Sequence, residues 1–428
     1  PSTTLFRSDC AAAAGAALRQ PSLPPWLPDA VRAETASLSA RSSYHFADMA
    51  PAAVEALYGK TLPLSASKLD CFAGCRYAFF LQYGLRALPW KQAEFDAPLF
   101  GSFVHDVLEH VVREAQAQGG FAALTDAQVA ALTERCMDAC MQTYLPQGDA
   151  RASREGYLST RNRQEAAAVV LDVARELRLS QFTPAAEELT FAPGGQMPPI
   201  VYHASRGDGL LTGKIDRVDT YEKDGTTYFR IVDYKTGRKD FSYTDLLYGK
   251  DLQMLLYLFA LQENQKKSGH PMQPAGALYV PGRCDMIRLE PGEDVGEADA
   301  ERRKQLRRKG LVLQDEAILQ AMEHYDDEPQ YLPMQLKKDG LTGDLATPAQ
   351  LAALERFVTG QVAAMIDEIL SGKTQPNPVD RGPADSACRW CDYSSACHKD
   401  VCAVSPRRFA AVKADEFWQE IERRQRHG

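Results

Sequence analysis

Asp224-Gly225 sits between two runs in which apolar or β-branched residues alternate with polar ones, within LLTGKIDRVDTYEKDGTTYFRIVDYKTG from Leu210 to Gly237. An Asp-Gly pair in that setting is the strongest short-range hairpin signal, because a two-residue type I′ turn needs positive φ at both central positions. The turn fixes a register. It sets Tyr221 against Tyr228, Asp219 against Arg230 and Val218 against Ile231. Aromatic, ionic and β-branched pairs of this kind each contribute roughly 0.2–1 kcal/mol to a ladder. Without a bulge, the same register puts Asp216 directly opposite Asp233, with Lys235 two residues on and on the same face. Facing carboxylates repel unless a cation lies between them. A hard divalent ion that keeps several waters suits that place. A surface hairpin with solvated charges is the other reading of the same residues.

At 428 residues the chain is long enough for one large domain with insertions or for two to three smaller ones. No apolar run reaches the roughly 18 residues of a membrane span, so no membrane partner is expected. The opening PSTTLFRSDCAAAAGAAL lacks the basic region of a secretory leader, and Pro1 suggests a piece of a longer polypeptide. A cytoplasmic location follows as the expectation. The formal net charge of −8 provides no global attraction to nucleic acid, which leaves local basic patches to decide that question. Ten cysteines in a large chain without a leader point to reduced thiols or metal ligands rather than a disulfide framework.

Residues 1–60 read as an Ala-rich helix, a Pro-rich linker (PSLPPWLP) and a helix over DMAPAAVEALYG. Gly59-Lys60-Thr61 and Gly372-Lys373-Thr374 are not phosphate-binding loops, because Val54 and Asp367 stand where the first glycine is required. In SASKLDCFAGCRYAFF, Ser65 or Ser67 caps a helix whose apolar face is Leu69, Phe72, Tyr77, Phe79 and Phe80, with Cys75 inside it or at its end. GSFVHDVLEHVVRE is an amphipathic helix on which His105 and Glu109 share one face. Residues 115–195 read as helical and charged, with Cys136 and Cys140 as packing residues. DLLYGKDLQMLLYLFALQ is an apolar helix carrying Gln253 and Tyr257, and GALYVP is a core strand. The basic run of Arg302, Arg303, Lys304, Arg307, Arg308 and Lys309 is either a solvated helix face or a set of phosphate contacts. After a helix stopped by Gly372 come Cys388, Cys391 and Cys397, spaced C-x2-C-x5-C with Trp390 and Tyr393 between them. Three thiols this close imply a metal or a cluster that needs a fourth ligand. His398 or Cys402 would make a local zinc knuckle, and Cys75 is the distant candidate.

Asp216 followed by Asp233-Tyr234-Lys235 on the next strand resembles the PD-(D/E)XK nucleases. Gly101, His105, Leu108 and Glu109 in a GxxxHxxLE pattern before it, and Gln253 with Tyr257 after it, resemble the RecB-type branch. The segment around Cys75, with C-x2-C-x5-C far downstream, is similar to the B-subunit nuclease domains of AddAB (RexAB) helicase–nucleases. The resemblance runs from about Leu57 to Cys402. It implies an α/β fold: a mixed sheet containing the hairpin, flanked by helices, with helical insertions and a C-terminal cysteine clasp. The expected organisation is an N-terminal helical segment over 1–60, the nuclease domain with its clasp over 61–402, and a helical tail over 403–428.

The resemblance further implies a Mg2+-dependent DNA nuclease, an exonuclease module of a helicase–nuclease that processes double-strand breaks for recombinational repair. Its partners would be DNA (a single strand at processed ends) and an A subunit. His105, Asp216, Asp233 and the Tyr234 backbone carbonyl would hold Mg2+. Lys235 would orient or deprotonate the attacking water, or offset charge on the phosphorane. Gln253, Tyr257 and Glu109 would lie beside the site. Cys75, Cys388, Cys391 and Cys397 would bind a [4Fe–4S] cluster, a pattern with no place for Cys71 or Cys402. Such a cluster closes a loop of about three hundred residues, worth roughly 4–5 kcal/mol in the chain-entropy picture, so its loss should loosen the ends before the hairpin. A catalytically silent DNA-end-binding scaffold is the alternative, with a lost His, Asp or Lys as its hallmark. None is lost. A zinc-bound interaction domain is a third reading, separable because a [4Fe–4S] protein is brown and a zinc protein colourless.

Overall fold

The computed structural model describes residues 47–88, 97–144, 154–283, 295–338, 340–382, 385–397 and 406–427. The Ala-rich helix and Pro-rich linker expected before residue 47, together with His398 and Cys402, lie outside them. Along the chain, α1 (Pro51–Tyr58), β1 (Thr61–Leu64) and α2 (Ala66–Gly74) precede three long helices, α3 (Ala97–Ala117), α4 (Asp126–Tyr144) and α5 (Arg154–Leu179). Then follow β2 (Thr183–Phe191), β3 (Ile200–His203), β4 (Asp208–Leu211), β5 (Gly213–Lys223) and β6 (Thr226–Lys235). Further along, besides short helices at Tyr243–Leu247, Glu316–Met322 and Ser394–Cys397, come α6 (Gln253–Lys267), β7 (Gln273–Pro281), α7 (Val295–Leu306), β8 (Lys309–Leu313), β9 (Met334–Lys337), β10 (Gly340–Gly343), β11 (Leu345–Ala346), α8 (Pro348–Leu370) and α9 (Ala414–His427).

Asp224 and Gly225 have φ of 51° and 75°, as the type I′ turn demands. The ladder between β5 and β6 pairs Tyr221 with Tyr228, Asp219 with Arg230 and Val218 with Ile231, the register set by that turn. It ends at Arg217–Val232. Asp216 therefore does not pair with Asp233 as the undisturbed register predicts; its carboxylate instead accepts the backbone N–H of Tyr234. The hairpin lies inside a six-stranded mixed sheet of order β11-β8-β7-β6-β5-β2, in which β6 and β7 run parallel. A parallel neighbour needs a crossover, and α6 provides it.

Alternation sends the two faces of the hairpin into different layers. Phe229, Ile231 and Val218 pack with the apolar α6 (Leu255, Leu256, Phe259) and with α8. Val232 and Tyr234 pack on the opposite side against α3, α4 and α5. The charged pair that would be solvated on a surface hairpin is fully buried in that second layer. Asp219 binds Arg217 and Arg230 at 2.8 Å each, Arg230 reaches Glu176 at 3.2 Å, and Arg308 bridges Glu176 and Asp172 at 2.6 and 2.5 Å. Three guanidiniums thus meet three carboxylates, the arrangement that makes buried charge tolerable.

Two helical expectations are corrected. The helical stretch ends at Leu179, and Thr183–Phe191 form the edge strand β2, with Leu189 and Phe191 buried. The helix around Cys75 is broken: Ser65 caps α2, Cys75 is extended with φ −166°, and a short helix Arg76–Phe79 restarts after it. In the C-terminal segment, α9 packs its Phe417, Trp418 and Ile421 into the main core beside α8. Cys136 and Cys140 are buried within the helical layer, in keeping with packing roles.

Candidate active site

The ends of β5 and β6 meet the start of α3 and α6. Gly101, one turn before His105, lies close to Thr236 just past β6: a Cβ there would lie 3.1 Å from Thr236 Oγ1. His105 Nε2 then donates to the Tyr234 carbonyl at 2.7 Å, and its Nδ1 lies 3.4 Å from Asp216 Oδ2. A carbonyl can only accept, so Nε2 carries a proton. Burial by itself would lower the His105 pKa, but the hydrogen bond and charge of Asp216, with the Tyr234 carbonyl, outweigh it and the net shift is upward.

Asp233 is nearly inaccessible. Gln253 Nε2 donates to its Oδ1 at 2.8 Å. Its buried Oδ2 takes no aligned hydrogen bond, although the Lys235 ammonium stands 2.5 Å away. Burial and then the Asp216 charge push its pKa up to about 6, against the pull of Lys235. Lys235 also donates to Gln253 Oε1 at 3.3 Å, so one amide side chain spans the acid and the amine. Tyr257, one turn along α6, is buried with its ring 5.2 Å from Phe191, and burial followed by the charges of Asp233 and Asp216 raises its pKa to about 12. A Cβ at Gly213 would come within 2.6 Å of Phe191 and 2.7 Å of Tyr257; only glycine lets both rings cover β5 at that point. Glu109 is not drawn in. It pairs with Arg113 one turn further along α3.

One acidic residue at the site was not anticipated. Glu188 sits between the paired residues Glu187–Arg217 and Leu189–Ile215, which sets it across from Asp216 on the other edge of β5. Ligand atoms of His105, Glu188 and Asp216 all lie within 4.8 Å of one another. Glu188 has a φ of 52°, a left-handed conformation that costs a side-chain-bearing residue on the order of 1 kcal/mol and concentrates at functional sites. Lys214 pairs with it. The Leu189–Phe191 alternation was the available signal, masked by reading the segment as helix. Two carboxylates and one imidazole within reach of one another fit a hard divalent cation.

The cysteines converge elsewhere. Cys75, Cys388, Cys391 and Cys397 line one small cavity, otherwise walled by apolar groups such as Ala78, Pro376, Pro378 and Ala387. Four thiols around an apolar cavity fit a thiolate-bound centre. The segments are held together by backbone as well: the Val379 N–H donates to the Gly74 carbonyl at 3.0 Å, and the Arg76 N–H to Asn377 Oδ1 at 2.8 Å. Cys71 is near but differently engaged, donating to Gln82, with burial pushing its thiol up to about 12.

The sequence matches the PD-(D/E)XK nuclease superfamily over residues 63–398. The chain belongs to that superfamily. The matched span takes in the nuclease-type site and every cysteine of the cavity. Similar proteins are named as the B subunit of an ATP-dependent helicase/deoxyribonuclease. That of Thermoanaerobacter sp. (strain X514) is 31% identical over 387 residues, covering 87% of this chain and 33% of its own length. Those of Caldanaerobacter subterraneus subsp. tengcongensis and Acetivibrio thermocellus are 32% and 31% identical, covering 81% and 85% of this chain and 30% and 32% of their own lengths. This nuclease-superfamily chain therefore spans about a third of the length of such relatives. Among its described residues no helix is long and apolar enough to cross a membrane.

Proposed function

We propose that this chain is the nuclease module of the B subunit in a helicase–nuclease and hydrolyses DNA phosphodiesters with Mg2+, trimming single strands at double-strand breaks for recombinational repair. The observation supporting this reading is the meeting of His105, Asp216, Asp233, Lys235 and Gln253 at one end of the sheet. The relatives' printed names, which pair a helicase with a deoxyribonuclease, support the partner and substrate.

In this mechanism His105, Glu188, Asp216 and Asp233, with the Tyr234 carbonyl, hold the ion. Bound Mg2+ supplies Lewis acidity at a phosphoryl oxygen and acidifies water. Below about pH 6 a proton on Asp233 would compete with the ion, and His105 would offer Nδ1, the nitrogen that faces Asp216. Lys235, held by Asp233 and Gln253, orients the attacking water and offsets the charge that builds on the phosphorane. Gln253 keeps carboxylate and ammonium in register. Cys75, Cys388, Cys391 and Cys397 hold a [4Fe–4S] cluster, which cross-links the two ends of the domain. The domain proper runs over 61–402 in this reading.

The test is digestion of end-labelled single- and double-stranded DNA with Mg2+ by the wild-type chain beside Asp233→Ala and Lys235→Ala. Loss of cleavage in both folded variants is expected. Wild-type rates in either would sink the site assignment. A wild-type chain that is folded and brown yet cuts neither substrate would favour a silent scaffold.

A further inference from the structure

Immediately past Lys235 the chain turns through Thr236–Asp240 and forms one wall of an open cleft of about 400 Å3. The end of α7 contributes Glu301, Lys304 and Gln305, and Tyr279, Arg283 and Lys309 complete much of the lining. Six cations (Lys235, Arg238, Lys239, Arg283, Lys304 and Lys309) face two carboxylates, Asp240 and Glu301. In a chain of net charge −8 this local excess runs against the composition, and it is the electrostatic footprint of an anionic ligand.

Two of the six are already committed, Lys235 to Asp233 and Lys239 to Asp251, both at 2.5 Å. The other four have long contacts to carboxylates: Arg238 and Lys309 at 3.8 and 3.7 Å from Asp240, Lys304 at 3.4 Å from Glu301, and Arg283 at 3.3 Å from Glu165. Such partly or largely exposed pairs contribute little stability and yield readily to a phosphate. The basic run divides accordingly. Arg308 is buried with Glu176 and Asp172, and Arg307 donates to the carbonyls of Leu332 and Met334, whereas Lys304 and Lys309 reach the cleft.

We propose that this cleft grips the phosphate backbone of a single DNA strand next to the phosphodiester presented to Lys235, with Arg238, Arg283, Lys304 and Lys309 as the phosphate contacts. The proposal rests on the nuclease reading and adds the path of the substrate to it. The volume falls within the roughly 300–1,000 Å3 of pockets that enclose a small ligand. That accommodates a nucleotide or two of one strand. A charged groove that follows the backbone is how single strands are held without sequence preference.

The experiment is fluorescence anisotropy of a labelled oligothymidylate against KCl concentration, with Ca2+ replacing Mg2+ to suppress cleavage. It compares the wild-type chain with the quadruple variant Arg238→Gln, Arg283→Gln, Lys304→Gln, Lys309→Gln. Each single-strand phosphate neutralised contributes about 0.7 to the slope of log affinity against log salt, so losing the one or two phosphates held in the cleft should flatten the slope by about 0.7–1.4 and the KM for single-strand cleavage should rise. Thermal melting checks the fold of the variant. Lys304→Glu alone, on an exposed helix face, serves as the second variant and should weaken binding more than Lys304→Gln. An unchanged slope in the folded quadruple variant overturns the cleft. Equal loss of slope for a blunt duplex overturns the single-strand assignment. A wild-type chain that binds the strand through these residues but never cuts it leaves the cleft standing and removes the nuclease reading instead.

Discussion

The backbone N–H of Tyr234 donates to Oδ2 of Asp216 at 2.8 Å, across the point where the β5–β6 ladder has just ended. An acidic side chain there takes over from a backbone acceptor. Facing carboxylates on an unbroken ladder would repel; the early end of the ladder lets Asp216 find a donor, while Asp233 is left with Gln253 and Lys235.

Asp233→Asn should stabilise the metal-free protein at high pH. The folded pKa of about 6 lies above the roughly 3.9 of an unfolded Asp, so the wild-type chain loses stability as pH rises from about 4 through 6. Asn carries no such charge. The variant should melt higher at pH 8, by on the order of 2–3 kcal/mol, with the advantage shrinking below pH 6 and gone near pH 4. Melting curves across that range decide it; a difference independent of pH would refute the buried charge as its cause. Metal affinity in the wild-type chain should weaken below about pH 6, because the ion competes with a proton.

Glu188→Gln should weaken binding of Mg2+ or Mn2+ by roughly 10–100-fold, taking the loss typical of groups that support a metal site. Calorimetric titration measures it directly. An affinity equal to wild type would remove Glu188 from the ligand set proposed here.

Arg308→Met should cost about 3–5 kcal/mol, because Glu176 and Asp172 would keep their burial and lose their shared counter-charge. Burial opposes ionisation of Glu176, yet Arg308, Arg230 and Arg217 hold its pKa down to about 2. That depressed pKa gives stability above the unfolded value of about 4.3 that is lost as pH falls toward 2. Urea melts of the variant should therefore show the largest deficit near neutral pH and a smaller one near pH 3. A loss below 1 kcal/mol would contradict the network.

Cys75→Ser should bleach any brown colour and lower the melting temperature, with proteolysis beginning around residues 385–397. The β5–β6 hairpin should outlast that cleavage, since its packing does not depend on the clasp. Amide exchange resolves the order. Simultaneous exposure of hairpin and clasp would contradict it.

Much of the site was legible along the chain. Turn chemistry set the partners of Tyr221, Asp219 and Val218, and helical spacing put Gln253 and Tyr257 on one face. His105 stood out by resemblance, since one histidine on an amphipathic helix carries no chemistry of its own. Glu188 was missed because β2 is an edge strand whose charged Glu187-Glu188 interrupts its alternation, and the break that Pro184 marks after the long helical segment was not used. The basic run could not be divided in advance: nothing local distinguishes Arg308, which ends buried, from Lys309, which reaches the cleft.

By itself the sequence determined the hairpin, its register and the face shared by Lys235 and Asp233, since turn geometry and the two-residue strand period act between near neighbours. Only the tertiary structure decided that Glu188 would stand across from Asp216, that Arg308 would neutralise Glu176, and that Cys75 would meet Cys388. Those meetings join segments about 30 to 300 positions apart. They exist because the sheet and its two helical layers close over two cores, one on each face, a condition that local periodicity does not encode.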